Sequence, residues 1–94
     1  MIIFKSEKYD DCLVESEKRK VEIGTEIVRL VLEAIDNKEN RVVVAKFQHF
    51  RGEMACEKHE YVQALEANLK YCELSEEYEM CAKALKYINK NKQN

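Results

Sequence analysis

The chain has no proline and only two glycines among its 94 residues. These residue types are the strongest breakers of helices and the commonest turn formers, so helices can continue here for many residues. Hydrophobic residues make up 46% of the sequence, which is enough apolar surface to build a folded core. We therefore predict one helix-rich domain over residues 1–94, with a frayed polar tail at 89–94.

A seven-residue apolar repeat runs through the first half of the chain. Its members share one face of a helix: Val14, Val21, Val28 and Ile35. This spacing predicts a long helix from Asp10 or Asp11 to Asn37. The alternative for the first part is a hairpin that pairs residues 12–14 with residues 21–23, followed by a shorter helix capped at Gly24-Thr25. The many Glu, Lys and Arg residues favour the helix.

Two segments have the composition of strands. Met1–Ser6 is short, apolar and rich in Ile and Phe, which favours an initial strand. A polar break follows the long helix, and Asn37 is suited to the left-handed conformation that ends helices. Arg41–Phe47 then contains three consecutive valines, whose β-branched side chains favour a strand with Val43, Ala45 and Phe47 on one face. Residues 48–52 are predicted to form a turn. Residues 53–56 form either the second strand of a hairpin or the approach to the next helix.

Two amphipathic helices are predicted at the C-terminal end. In residues 59–73 the apolar side chains fall on one face: Val62, Leu65, Leu69 and Cys72. Ser75 is a good N-cap for a last helix that continues to about Asn89. The short connection predicts an antiparallel helical hairpin. The fold class is therefore α+β and predominantly helical.

Charge and hydropathy exclude several settings. The 16 Lys and Arg against 18 Asp and Glu give a net charge of -2, so the whole molecule has no field that attracts nucleic acid or anionic membranes. The N-terminus lacks the basic start and apolar core of a signal peptide, and no apolar run approaches the roughly 20 residues of a membrane span. We expect a cytoplasmic protein whose four cysteines stay reduced.

One segment combines cations with aromatic rings and contains no acid. Its candidate ligand-binding residues are Arg41, Lys46, His49, Phe50 and Arg51. Cations and aromatics on a strand or loop can hold phosphate and stack a base, so this segment predicts, as an alternative function, binding of a nucleotide or a single-stranded nucleic acid. The same pattern is also that of a half-buried strand that ends in a polar turn.

The cysteines and histidines are candidates for a metal site or a catalytic site. Cys56 and His59 have the offset of one helical turn, and Cys72 with Cys81 would complete a Cys3His set, although the spacing is not that of a zinc finger. Cys56 as a nucleophile would need His49 or His59 as its base, and no glycine-rich oxyanion loop accompanies them. We expect no metal, no cofactor and no enzymatic activity.

The leading prediction is a small non-enzymatic accessory protein that binds a partner protein and itself, as a homo-oligomer. The long helix has apolar residues outside its main stripe, and these need cover from more than one side. Together with a strand edge at Val42–Phe47, they define the candidate interface, which comprises Ile23, Leu30, Leu32, Val42 and Val44.

Overall fold

A computed structural model describes residues 1–49 and 51–92. Its elements in chain order are β1 (Ile2–Phe4), α1 (Tyr9–Lys18), α2 (Lys20–Asp36), β2 (Arg41–Phe47), β3 (Glu53–Glu57), a 3-10 turn (Lys58–Glu60), α3 (Tyr61–Leu74) and α4 (Tyr78–Lys92). The predicted class, α+β and predominantly helical, is confirmed. Of the predicted tail at 89–94, residues 89–92 continue α4, while Gln93 and Asn94 lie outside the described residues.

The first half of the chain is helical, and the alternative hairpin does not form. The predicted helix is interrupted at Arg19, whose φ of -110° and ψ of 20° separate α1 from α2. The break changes which part of the seven-residue repeat is buried. Val28 in α2 is 0% exposed, whereas Val14 in α1 is 52% exposed. The repeat therefore marks the core face of α2 only.

The three strands form one sheet in the order β1-β2-β3. β1 runs parallel to β2, and β2 runs antiparallel to β3, so residues 53–56 belong to the returning strand of a hairpin. Both neighbours pair with β2 at Ala45 and Lys46, so the predicted strand edge at Val42–Phe47 is covered there, whereas Val42 and Val43 pair with β3 alone among the described residues. The outer edges of the described sheet belong to β1 and β3.

A β-bulge in β2 changes the predicted alternation of its side chains. Val43 lies opposite Ala55, and Ala45 lies opposite Met54, which leaves Val44 as an extra residue. A bulge lets two successive residues point toward the same side. Val44 and Ala45 are accordingly both buried, although simple alternation placed them on opposite faces.

Most of the core lies between the helices. The main cluster joins α2, α3 and α4 around Val28, Leu65 and Ala84. A smaller cluster joins β1, β2 and α1 through Phe4 and Cys12, among others. α3 and α4 form the predicted antiparallel hairpin, since Cys72 and Cys81 approach near its turn and Glu66 pairs with Lys92 farther away. No helix in the described part of the chain is long and apolar enough to cross a membrane.

Gly24 is where α2 and α3 come into closest contact. It lies inside α2, so it does not cap a helix, and a methyl group at this position would lie 2.7 Å from Cγ and 2.8 Å from Cβ of Tyr71. The hydroxyl of Thr25 is 3.1 Å from the Tyr71 carbonyl oxygen and 2.9 Å from the Ser75 hydroxyl. Ser75 is also the C-cap of α3, and α4 begins only at Tyr78, so the prediction that Ser75 caps the last helix is wrong.

Two helices end on residues other than glycine in the left-handed conformation. Lys38, with a φ of 57°, ends α2 in place of the predicted Asn37, and Glu76, with a φ of 60°, ends α3. At the second end, the Glu77 amide donates to the Cys72 carbonyl at 3.1 Å. This is the geometry in which glycine is the preferred residue.

Glu76→Gly is expected to raise the free energy of unfolding by about 0.5–1 kcal/mol, because it removes the left-handed strain of a side chain at a turn that keeps its hydrogen bonds. Chemical denaturation measures the change. Glu79→Gly, at an exposed position in the first turn of α4, is the matched control and should lower stability by up to about 1 kcal/mol. A loss of stability in both variants would contradict the assignment of strain to Glu76.

Candidate functional site

The basic-aromatic segment gains acidic neighbours when the chain folds. Arg41 begins β2 and pairs with Glu53 at 3.0 Å and Glu57 at 3.2 Å, so its charge is already neutralised. His49 and Arg51 lie in or beside the turn that joins β2 to β3. Lys46 is exposed near the end of β2, and Phe50 lies outside the described residues.

The interface predicted from the sequence lies largely inside the protomer. Leu32 and Val44 are buried, Ile23 and Val42 are half-buried against the core, and Leu30 is half-buried. The large apolar side chains that are exposed in the described residues are Met1, Ile3, Tyr9, Leu13, Val14, Met54, Leu74, Tyr78 and Leu85. Several of them lie on α1 and the outer strands rather than on α2.

The cysteines are buried, and two of them have thiols with a raised pKa. All four are free and buried. Burial raises the pKa of the Cys72 thiol from its ordinary value of 9.0 to about 12, and the neighbouring Cys81 adds to this shift. Burial, followed by the charges of Glu60 and Glu57, also raises the pKa of Cys56. A thiol that stays protonated is a poor nucleophile and metal ligand.

The hypothetical Cys3His set does not converge on one point. Within residues 1–49 and 51–92, no group of three or more His, Cys, Asp or Glu side chains is placed to hold a metal ion. Cys72 and Cys81 lie in the apolar core of the helical hairpin, whereas His59 is exposed on the 3-10 turn. Packing in the core therefore explains Cys72 and Cys81.

A groove lies between β3 and α3. It has a volume of about 290 Å³ and is lined by Ile27, Val44, Ala55, Cys56, Glu60, Gln63, Ala64, Ala67 and Asn68. β3 forms one side of the groove and α3 forms the other. The side chains of Ala64 and Ala67 on α3 are small and leave the groove open. We call this surface the β3–α3 groove.

The backbone of β3 presents hydrogen-bonding groups along the open side of this groove. The Lys58 amide donates to the Asn40 carbonyl at 2.7 Å, which marks a hydrogen-bonded pair. Pairs alternate along an antiparallel ladder, so Cys56 bonds to β2, whereas Ala55 and Glu57 direct their N–H and C=O groups away from it. The Glu57 amide donates to the Glu60 carboxylate at 3.0 Å, in agreement with this direction. Ala55 thus offers both backbone groups to an incoming strand.

The charges along this edge are partly balanced. Glu53 and Glu57 flank the uncharged stretch Met54–Cys56; Arg41 pairs with both, and Lys46 lies opposite Glu53 in the strand register. Glu60 lies at the rim of the groove and forms no ion pair within the described residues. Its carboxylate favours a ligand that carries positive charge.

Sequence reasoning did not identify the β3–α3 groove. Ala64 and Ala67 lie beside the apolar stripe by which α3 was recognised, and small residues on a helix give no signal of binding on their own. Comparison with known proteins adds no further residues, since no protein-family model, no curated protein and no solved structure matches the chain.

Proposed function

We propose that the protein is a non-enzymatic interaction module that captures an extended segment of a partner protein as a fourth strand on β3. The observation that carries this proposal is the open backbone edge at Ala55 directly beside the β3–α3 groove. Strand addition of this kind obtains affinity from main-chain hydrogen bonds and specificity from pockets for alternate side chains.

The geometry supports strand addition because the groove adjoins the open edge, and Ala55 belongs to both. Alternate side chains of a strand point to opposite faces of its sheet. Every second side chain of a captured segment would therefore enter the groove against Ile27 and Ala64, while the others would face outward. Proteins normally protect the edges of their sheets with charges or covering elements. Here the charged residues Glu53 and Glu57 leave the middle of the edge accessible.

The charge beside the β3 edge determines which kind of segment binds there. A segment that alternates apolar residues with Lys or Arg would place its cations near Glu53, Glu57 and Glu60. A second copy of β3 is disfavoured, because a twofold axis at Ala55 would set Glu53 of one copy opposite Glu57 of the other. Like charges directly opposite each other destabilise a strand pair. The occupant of the groove is therefore a segment of another protein.

The test uses short peptides that alternate Val with Lys, and fluorescence anisotropy with the full chain. Ala67→Leu fills the groove from its exposed α3 wall and should weaken peptide binding about tenfold, equivalent to about 1.4 kcal/mol. Ala82→Leu makes the same change at an exposed position on α4 and should leave binding unchanged. Peptides that alternate Val with Glu should bind less tightly than the lysine series.

Backbone amide exchange locates the bound peptide. Saturation with the Val-Lys peptide should slow exchange at the Ala55 amide, because that amide becomes a hydrogen-bond donor within the sheet. Absence of binding at millimolar peptide, or an equal loss of affinity in the Ala67→Leu and Ala82→Leu proteins, would overturn the proposal.

Self-association through α1 is a second candidate function, favoured by the exposure of this helix. Of the ten residues in α1, only Cys12 is buried, while Tyr9 and Leu13 are exposed on a neighbouring part of its surface. The first turn contains Asp10 and Asp11, and the last turn contains Lys18 together with Glu15 and Glu17. An antiparallel pair of α1 helices, as a twofold axis produces, would place Asp10 and Asp11 of each copy near Lys18 of the other.

Light scattering tests this second candidate. The wild-type protein should have about twice the 11.1 kDa mass of one chain at micromolar concentration. Leu13→Glu should give a monomer, whereas Leu85→Glu, at an exposed position on α4, should leave the dimer intact. A wild-type protein that is already monomeric would exclude self-association through α1.

A further inference from the structure

A second concave surface lies around Tyr87, where the end of α2, the 3-10 turn and the last turns of α4 meet. Two adjoining clefts of about 410 and 540 Å³ share Lys58, Tyr87 and Asn91 in their walls. A third cleft of about 350 Å³ shares Tyr87 and Lys90. We call the combined surface the Tyr87 cleft.

Positive charge is concentrated in this cleft and is not neutralised there. Its walls contain four lysines that form no ion pair within the described chain: Lys38, Lys58, Lys86 and Lys90. Lys83 also lines the cleft but is bonded to Asp36 at 2.8 Å. Glu39 is the remaining carboxylate, so four free lysines against one acid leave an excess of three positive charges.

The arginines of the described chain that carry ion pairs show a different arrangement. Arg19, Arg29 and Arg41 each lie between two glutamates. Pairing of this kind cancels a positive charge before any ligand arrives. The four unpaired lysines of the Tyr87 cleft differ from these arginines, because their positive charge remains available to an anion.

Backbone hydrogen bonds hold the segments that carry these lysines in place. The Lys38 amide donates to the Ile35 carbonyl at 3.1 Å, and the Lys58 amide donates to the Asn40 carbonyl at 2.7 Å. The Tyr61 hydroxyl donates to the Glu39 carbonyl at 2.9 Å and so fixes the loop between α2 and β2 against α3. The cleft is therefore formed by elements whose relative positions are set by the fold.

We infer that the Tyr87 cleft binds a small ligand that carries two or more phosphate groups and a flat ring, of which a nucleoside triphosphate is the simplest example. Lysine ammonium groups bind phosphate oxygens as compact point charges. The half-buried ring of Tyr87 offers a face on which a base can stack. Clefts of roughly 300–1,000 Å³ are the size that encloses such ligands.

The surrounding charges favour a compact ligand over a nucleic-acid strand. Strand-binding proteins use a basic groove that follows the phosphate backbone over several nucleotides. Here Asp36, Glu39 and Glu57 lie at or near the borders of the cleft and would oppose a continuing chain of phosphates. This site is independent of the β3–α3 groove, whose surroundings are acidic.

Isothermal titration calorimetry tests the inference with ATP, inorganic tripolyphosphate and a single-stranded oligonucleotide as separate probes. ATP should bind, and its affinity should fall as the salt concentration rises. The double variant Lys58→Ala/Lys90→Ala should bind ATP about tenfold more weakly, since it removes two ionic contacts to the phosphates. Tyr87→Leu should weaken ATP binding more than tripolyphosphate binding.

The matched control is Lys5→Ala/Lys20→Ala. Both lysines are exposed, and Lys20 lies at the opposite end of α2 from the cleft, about 24 Å away at 1.5 Å per residue. This variant should bind ATP as the wild type does. An equal loss in the two double variants, absence of ATP binding at millimolar concentration, or tighter binding of the oligonucleotide than of ATP would overturn the inference.

Discussion

Leu65→Ala should lower the free energy of unfolding by about 2–5 kcal/mol, the usual range for deleting a buried leucine side chain. Leu65 is 0% exposed and belongs to the main core cluster between α2, α3 and α4. The change removes apolar contacts and leaves a cavity that the surrounding helices can fill only in part. Domains of this size have a total stability of about 5–15 kcal/mol, so the loss is a large fraction of it.

The same helix supplies the control. Leu74, at the end of α3, is 69% exposed, and Leu74→Ala should change stability by about 0.5 kcal/mol or less. Urea denaturation of both variants measures the difference through the midpoint of unfolding. Equal effects at positions 65 and 74 would show that α3 does not pack on its Leu65 face as described.

Gly24→Ala should destabilise the protein by about 1–3 kcal/mol, even though alanine is the better helix former by about 1 kcal/mol. The added methyl would overlap the near end of the Tyr71 side chain, including its Cβ, rather than its mobile hydroxyl end. A rotation of the ring cannot relieve such an overlap, so α2 and α3 must move apart. That movement would also lengthen the contact between Thr25 and the Tyr71 carbonyl oxygen.

A double-mutant cycle separates this overlap from a loss of helix propensity. In a Tyr71→Ala background the methyl has space, and Gly24→Ala should become neutral or stabilising there. Chemical denaturation of the four proteins gives the coupling energy. If the effects are additive, so that Gly24→Ala is equally destabilising in both backgrounds, the contact with Tyr71 is not the reason why position 24 requires glycine.

The two proposed binding surfaces differ in charge and therefore in the ligands they select. The β3–α3 groove is bordered by Glu53, Glu57 and Glu60, while the Tyr87 cleft has an excess of lysine. Formal net charge, at -2, conceals this separation. One protein could hold a basic peptide segment and a phosphorylated small molecule at the same time, because the two sites use different residues.

The basic-aromatic segment shows why charge cannot be counted within one stretch of sequence. Residues 41–51 contain no acid, but folding brings Glu53 and Glu57 of β3 next to Arg41. These carboxylates lie outside the segment, so the neutralisation of Arg41 cannot be predicted from residues 41–51 alone.

The lysines around Tyr87 cannot be recognised as a group from the sequence. Lys38, Lys58 and Lys90 are widely separated in the sequence, and each looks like an ordinary surface residue. The helix dipole favours cations near a C-terminus, so lysines at the end of α4 need no ligand to account for them. Only the packing of α4 against the end of α2 and the 3-10 turn brings the three side chains to one cleft.

Local interactions explain what the sequence alone determined about this protein. Apolar spacing identified α2, α3 and α4, and the three valines identified β2, because the helical and strand periods depend on neighbouring residues. Long-range pairing decided the rest: the parallel position of β1, the bulge at Val44, the contact of Gly24 with Tyr71, and the open edge at Ala55. These features depend on which distant segments meet, and that is settled by the shared burial of apolar surface rather than by the preference of any single segment.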